Sequence, residues 1–268
     1  MSSVVKEEGR LNALRRYNIL DTDPEPAFDR IATLAAHLFE APIALVNFVD
    51  HDRQWFKAAV GMDTNETGLD VSICAHTIEA QTRMVVDDLT ADDRFRENPY
   101  VTDLGLEFYA GAPLVTPDGY HVGTLCVLDY QPRTPSSDVL DRLSDLAAMV
   151  VDELELRREN AQRKKTEAAL RRSQEKYKSL FEGAGDAILV HDLNGDITDA
   201  NAQATSLFGR TQTDWTDARL SDLFAPDLQD VHRQMMTHVR AGSDYEVIAE
   251  FTDAEGIRFW GQLSATPL

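Results

Sequence analysis

Between residues 136 and 180 the chain carries neither glycine nor proline and is rich in Leu, Ala, Glu, Arg and Lys. So long a run without a helix breaker predicts one continuous helix, longer than a compact domain can bury along its whole length. Leu143, Ala147, Val150, Leu154, Arg157, Ala161, Lys164 and Ala168 follow alternating steps of four and three, the spacing of a two-stranded coiled-coil seam. The expectation is a parallel homodimer through residues 136–180. Its seam should be firm as far as Leu154 and softer where Arg157 and Lys164 place charge on it. The competing reading is a monomeric helix whose apolar stripe packs on its own domain.

Charge separates what flanks this helix. The formal charge is −11 over residues 1–135, +1 over 136–180 and −10 over 181–268, out of a total of −20. Two acidic blocks around a balanced segment are what two globular domains and a connecting element produce. At 43% apolar residues, both blocks can bury a core. The negative excess disfavours nucleic acid and anionic membrane surfaces as partners, leaving small molecules and other proteins. No stretch is long and apolar enough for a membrane span or signal peptide, so a cytoplasmic location is expected. The bases are 20 Arg and only 6 Lys against 29 Asp and 17 Glu, a balance that points to a salt-adapted source. Two cysteines, Cys74 and Cys126, are too few for a disulfide framework or a structural zinc site.

The first block reads as helix over 7–17, a second helix opening at Pro24 behind an Asp or Thr cap, and β-rich runs at 43–49, 54–60, 84–87, 106–114 and 121–128. Consecutive strands joined by short turns predict an antiparallel sheet backed by helices, an α+β pattern. Asp92-Asp93-Arg94 reads as a cap and turn with an ion pair rather than as an acid and base pair. The second block reads as strands at 187–191 and 197–200 about an Asp192-Leu193-Asn194-Gly195 turn. Short helices follow around 201–208 and 220–224, then a helix over 229–240 and strands at 246–252 and 257–265.

The segments RLNALRRYNILDTDPEPAFDRIATLAAHLFEAPIALVNFVDHDRQWFKAAVGM, ICAHTI, DDLTADDRFRENPYV and FYAGAPLVTPDGYHVGTLCVLDYQPR resemble, in order, the GAF domains that open many prokaryotic sensor proteins. DAILVHDLNGDITDANAQATSLFG is similar to the amino-terminal half of a PAS domain. The implied fold is α+β: a GAF-like antiparallel sheet with helices over 1–135, a coiled-coil linker helix over 136–180, and a PAS-like domain over 181–268 lacking its last strand. The resemblance implies a small-molecule pocket in each domain. In the first it would be faced by Phe48, Trp55, Phe56, Cys74, His76, Phe108 and Tyr109. In the second it would involve Asn201, Phe208, Trp215 and His232, with Asn201 also reading as a helix cap.

No catalytic or metal-ligating residue is assigned. Bilin-binding GAF domains usually place His directly after the attachment Cys, whereas this chain has Cys-Ala-His, and the GAF-fold methionine sulfoxide reductases use a Cys set that this spacing does not reproduce. Cys74 therefore reads first as a small buried residue, and a thiol redox enzyme or bilin photoreceptor built on it stands as the alternative. His232 falls within one residue of the iron ligand of haem-binding PAS domains, although a histidine on so acidic a surface is more often solvated. The sequence requires no cofactor. The resulting expectation is a sensory module that binds a small ligand and passes the signal through a dimeric helix to an output, a histidine kinase in the first instance.

Overall fold

The computed structural model describes residues 7–267, so the first six residues of the expected 1–135 block lie outside the described residues. Contacts divide the chain into two compact units, Met1–Lys165 and Thr166–Leu268.

The first unit opens with α1 (Glu8–Arg16) and α2 (Pro26–Phe39). Helix α2 starts at Pro26, two residues later than expected from Pro24. Glu25 holds the cap position without a side-chain cap bond, because its carboxylate is engaged by Lys57 and Arg157 instead. Strands β1 (Ile43–Val49), β2 (Arg53–Val60) and β3 (Glu66–Gly68) follow, then α3 (Ile73–Ala80), β4 (Met84–Val86), α4 (Pro99–Thr102), β5 (Phe108–Val115) and β6 (His121–Asp129). They form one antiparallel sheet of order β3-β2-β1-β6-β5-β4. The three-residue β3 is not legible in the sequence. The expected Asp92 turn is present: Asp92 accepts from the backbone N–H of Arg94 and pairs with its guanidinium.

Side chains alternate across a strand, so this sheet has two faces. Ala44, Val46 and Phe48 of β1, Phe108 and Ala110 of β5, and Leu125 and Val127 of β6 pack with α1, α2 and the start of the long helix α5 (Ser137–Glu182). The opposite face carries Ile43, Leu45, Phe56, Tyr109, Cys126 and Leu128, covered by Ile73 and Cys74 of α3 and by Leu89, Phe95 and Leu106 from the loops.

Helix α5 corrects the expected seam. Leu143, Ala147, Val150 and Leu154 are buried in the core of their own unit. Arg157 donates to the carbonyls of Tyr17 and Asn18 and to Glu25. A stripe spaced by fours and threes is equally what an amphipathic helix needs to lie on a sheet, and the first half of this one is used that way. From residue 159 to residue 180 the helix is exposed on all sides, Ala161, Lys164 and Ala168 included.

The second unit takes the end of α5, then β7 (Leu189–His191), β8 (Ile197–Ala200), α6 (Ala202–Phe208), three short 3-10 turns, α7 (Gln229–Arg240), β9 (Tyr245–Thr252) and β10 (Arg258–Ala265). The Asp192 turn is built as expected, with Gly195 at φ 87°. Asp192 accepts from the backbone N–H groups of Asn194 and Asp196. Strands β7 and β8 pair with each other, as do β9 and β10, giving two separate ladders. Among the described residues β10 has no ladder partner besides β9.

Candidate functional site

A fully apolar β1 would suffice to build the sheet, yet its fifth residue is Asn47, entirely buried on the face opposite α5. A buried amide costs stability unless it is hydrogen-bonded, so its partners define the site. Asn47 Nδ2 donates to Thr124 Oγ1 at 2.7 Å and lies 3.4 Å from Cys74 Sγ and 3.7 Å from Cys126 Sγ. The two sulfurs are 3.5 Å apart. Beside them the Tyr109 hydroxyl and Thr77 Oγ1 form a 2.8 Å hydrogen bond. Asn47 Oδ1 is buried and accepts no hydrogen bond among the described residues.

Local geometry explains how these groups meet. Strand β6 places Thr124 and Cys126 opposite Asn47 and Leu45 of β1. Gly111 of β5 pairs with Cys126, and a Cβ there would run into the Tyr109 phenol, so glycine makes the room in which that ring folds over its own strand. Ser72 caps α3 through the Ala75 N–H, which fixes Cys74 in the first turn, where the positive end of the helix favours a thiolate. Burial pushes the Cys74 thiol up, but hydrogen bonds from Cys126, Thr124, Tyr109 and Asn47 outweigh it and bring the pKa down to about 7. Burial and the neighbouring Cys74 push Cys126 up. Burial and both sulfurs push the Tyr109 phenol up as well.

Of the residues expected to face a pocket in this unit, Phe56, Cys74 and Tyr109 lie on this face. Phe48, Trp55 and Phe108 do not; they sit in the helix-side core, the rings of Phe48 and Trp55 6.4 Å apart. Neighbouring strand residues such as Trp55 and Phe56, or Phe108 and Tyr109, point to opposite faces, so the resemblance assigns one residue too many to the pocket in each pair. A β-bulge between Val46 and Asn47 sharpens the point on β2: Val46 pairs with Ala58 and Asn47 with Phe56. Lys57 is the extra residue, and its side chain goes to Thr22, Asp23 and Glu25. His76 is half exposed, its ring 5.0 Å from that of Phe95 in an edge contact, and is not part of the cluster. Asn47 and Thr124 are absent from the expected set. A signal for them exists, since an amide inside the apolar run IALVNFV has to find buried partners.

In the second unit Phe208 and Trp215 are buried together at 6.0 Å in a core completed by Phe251 and Phe259. The Trp215 indole N–H donates to Thr205 Oγ1. His232 touches this core through Phe224, at 5.5 Å between rings. Its Nε2 is buried without a hydrogen bond among the described residues, near Gly195 of the turn. Burial pushes its pKa down, with His191 and Arg240 adding to the effect. Asn201 is fully buried and all of its polar capacity goes to backbone. Its Oδ1 accepts from Ile188 N and Ala204 N, and its Nδ2 donates to the carbonyls of Phe181 and Asp186. It acts as the cap that the sequence implies, and as a tie between the end of α5 and the strands.

The GAF domain family matches residues 23–154 and the PAS fold family residues 175–268. The chain is a GAF domain followed by a PAS domain. Over 133 residues it is 40% identical to a cyclic di-GMP phosphodiesterase of Pseudomonas aeruginosa, a match covering 49% of this chain and 23% of that protein's length. Among solved structures, the PixJ GAF domain of Thermosynechococcus elongatus in its blue-light-absorbing form aligns at 14% identity, covering 62% of this chain and 97% of that one, TM-score 0.44. A domain of a sensory box sensor histidine kinase/response regulator from Geobacter sulfurreducens aligns at 23% identity over 37% and 87%, TM-score 0.34. GAF and PAS domains are sensory, and this pair makes the chain a signalling sensor. No helix among the described residues is long and apolar enough to cross a membrane.

Proposed function

We propose that the GAF domain senses through the Asn47 cluster and that α5 reports the state of that cluster towards the PAS domain and an output. One observation carries this reading. Asn47, Tyr109 and Cys126 face the cluster, while their chain neighbours Val46, Phe48, Phe108, Ala110, Leu125 and Val127 face the core that holds Leu143, Ala147, Val150 and Leu154 of α5. Cluster and helix are separated by the thickness of one sheet, and close-packed cores transmit small displacements instead of absorbing them. The signal is a small molecule or a chemical change at the cluster, in a cytoplasmic protein.

The exposed stretch from 159 to 180 is too solvated to persist by its own packing, which supports a second copy of the chain as its partner there. For the output, cyclic di-GMP hydrolysis, the activity named for the 40% identical relative, stands beside the histidine kinase expected from the sequence.

Thr124→Val tests the coupling without a known ligand. It removes the oxygen acceptor of Asn47 Nδ2 and leaves only the two sulfurs, a loss of about 1 kcal/mol that corresponds to about fivefold faster local opening. Amide hydrogen exchange should rise by that factor over residues 143–157 of α5 and stay unchanged in α7. A rise confined to 73–80 of α3 would show that the helix does not read the cluster.

A further inference from the structure

We propose that Cys74 and Cys126 are a reversible redox pair, closing to an intramolecular disulfide when a peroxide reaches the GAF interior. The inference rests on the sensory reading only for its consequence; the chemistry is that of the two thiols themselves. Each is buried, each is unoxidised, and the sulfurs already touch at 3.5 Å although 52 residues separate them in the chain. Their carriers are firmly placed: Cys126 lies in β6 at the middle of the sheet, and Cys74 in the first turn of α3, held by the Ser72 cap.

Two apolar core cysteines would need no polar surroundings. These have an amide N–H donor directed at both sulfurs and the Tyr109 and Thr77 hydroxyls beside them. Donors aimed at sulfur favour the thiolate, and the lowered pKa of Cys74 fits that arrangement. Cys74, with the nearer Asn47 donor and its place in the first turn of α3, is therefore the attacking sulfur and Cys126 the resolving one. Where a disulfide does form in a reducing compartment, it is usually transient and catalytic or redox-sensing.

The chemistry balances with hydrogen peroxide as oxidant. The Cys74 thiolate attacks one peroxide oxygen, the O–O bond breaks, and hydroxide leaves and is protonated to water, giving a sulfenic acid. The Cys126 sulfur then attacks Cys74 Sγ, the S–O bond breaks, and the Cys126 proton leaves with the hydroxyl as a second water. Two thiols and one peroxide become one disulfide and two waters, and a dithiol reductant reverses the change. Closure draws the start of α3 towards β6, on the face opposite α5.

The native chain exposed to peroxide, then unfolded in denaturant, should lose both of its two titratable thiols and regain them on reduction with dithiothreitol. Peptide mapping should show one species joining the Cys74 and Cys126 peptides, lighter by about 2 Da than the sum of the thiol peptides. Cys126→Ala should leave a Cys74 sulfenic acid that dimedone traps, and Cys74→Ser should keep its remaining thiol through the same exposure. A native titre that stays at two, a loss of one thiol, a link between chains, or loss of Cys126 in Cys74→Ser at the wild-type rate would each overturn the pair. The mapping uses the unsubstituted chain, so a variant that fails to fold does not blunt the test. If Thr124→Val alters exchange in α5 while no disulfide forms, the sensory role stands and the redox assignment fails.

Discussion

Asn201→Ala is expected to bring the PAS domain close to unfolding. The side chain makes four hydrogen bonds at a fully buried position, two accepted and two donated, all to backbone groups. Its removal strands the Ile188 and Ala204 N–H groups and the Phe181 and Asp186 carbonyls. At about 1 kcal/mol for each bond, with partial rescue by water, the loss is about 3–4 kcal/mol, against roughly 5–15 kcal/mol for a whole domain. Urea unfolding followed by fluorescence should show the PAS transition moving down by roughly 2 M while that of the GAF domain stays in place. Asn201→Ser can still cap α6 and should recover about 1 kcal/mol of the loss. A shift smaller than that recovery would mean the four bonds do not hold the end of α5 to this domain. The same substitution should uncouple the helix from the strands before the domain melts, because Phe181 is the helix residue that Asn201 holds.

The second large effect lies at Glu25. The Lys57 side chain is inaccessible to solvent, and its ammonium donates to Thr22 Oγ1, the Asp23 carbonyl and Glu25 Oε1 at 2.6–2.8 Å. Arg157 of α5 reaches the same carboxylate oxygen at 3.0 Å. Glu25 thus serves both a buried cation and the helix, and Arg157 is an anchor to the domain instead of a weak point in a dimer seam. Glu25→Ala leaves Lys57 buried and uncompensated, a change that costs about 3–5 kcal/mol in a dry site. The Glu25 side chain is a third exposed, so water screens part of this and about 2–3 kcal/mol is expected.

The pH dependence follows from the same geometry. Burial pushes the Glu25 carboxyl up, but Lys57 and Arg157 outweigh it and hold the pKa below its ordinary value of 4.5. A carboxyl whose pKa is depressed in the folded state stabilises fully above its unfolded value and loses that contribution as the pH falls through the folded one. The GAF domain should therefore lose stability steadily below about pH 4.5. Glu25→Gln should be less stable at neutral pH and show a shallower acid slope. Parallel slopes in melting temperature against pH would rule out Glu25 as the group that titrates.

Much of the architecture can be read from the chain, and the failures share a cause. The glycine- and proline-free run is α5, strand β1 and helix α7 have the expected ends, and the Asp192 turn is where its residues put it. These rest on local preferences that a few neighbouring residues decide. The direction in which an apolar face points is not local. Leu143, Ala147, Val150 and Leu154 satisfy a coiled-coil seam and a sheet-packing face equally well, and only the presence of Val46, Phe108 and Val127 opposite them decides between the two. The Asn47 cluster needs strand register, including a bulge that re-aims Lys57, to bring residues 47, 74, 109, 124 and 126 together. Resemblance marks the cysteine and the tyrosine, but not the asparagine and threonine that organise them.

In the proposed function, α5 carries the state of the GAF cluster as a rotation or shift of one continuous helix. Inserting residues between Lys164 and Lys165, in the exposed part of that helix, tests it in the complete signalling protein. A two-residue insertion turns the flanking segments by about 200° relative to each other, and a seven-residue insertion restores their phase to within about 20°. With Thr124→Val as the perturbation of the cluster, output is read as cyclic di-GMP hydrolysis or autophosphorylation. Transmission along α5 requires that Thr124→Val change output in the uninterrupted and seven-residue forms and leave it unchanged in the two-residue form. An equal response in all three would contradict it.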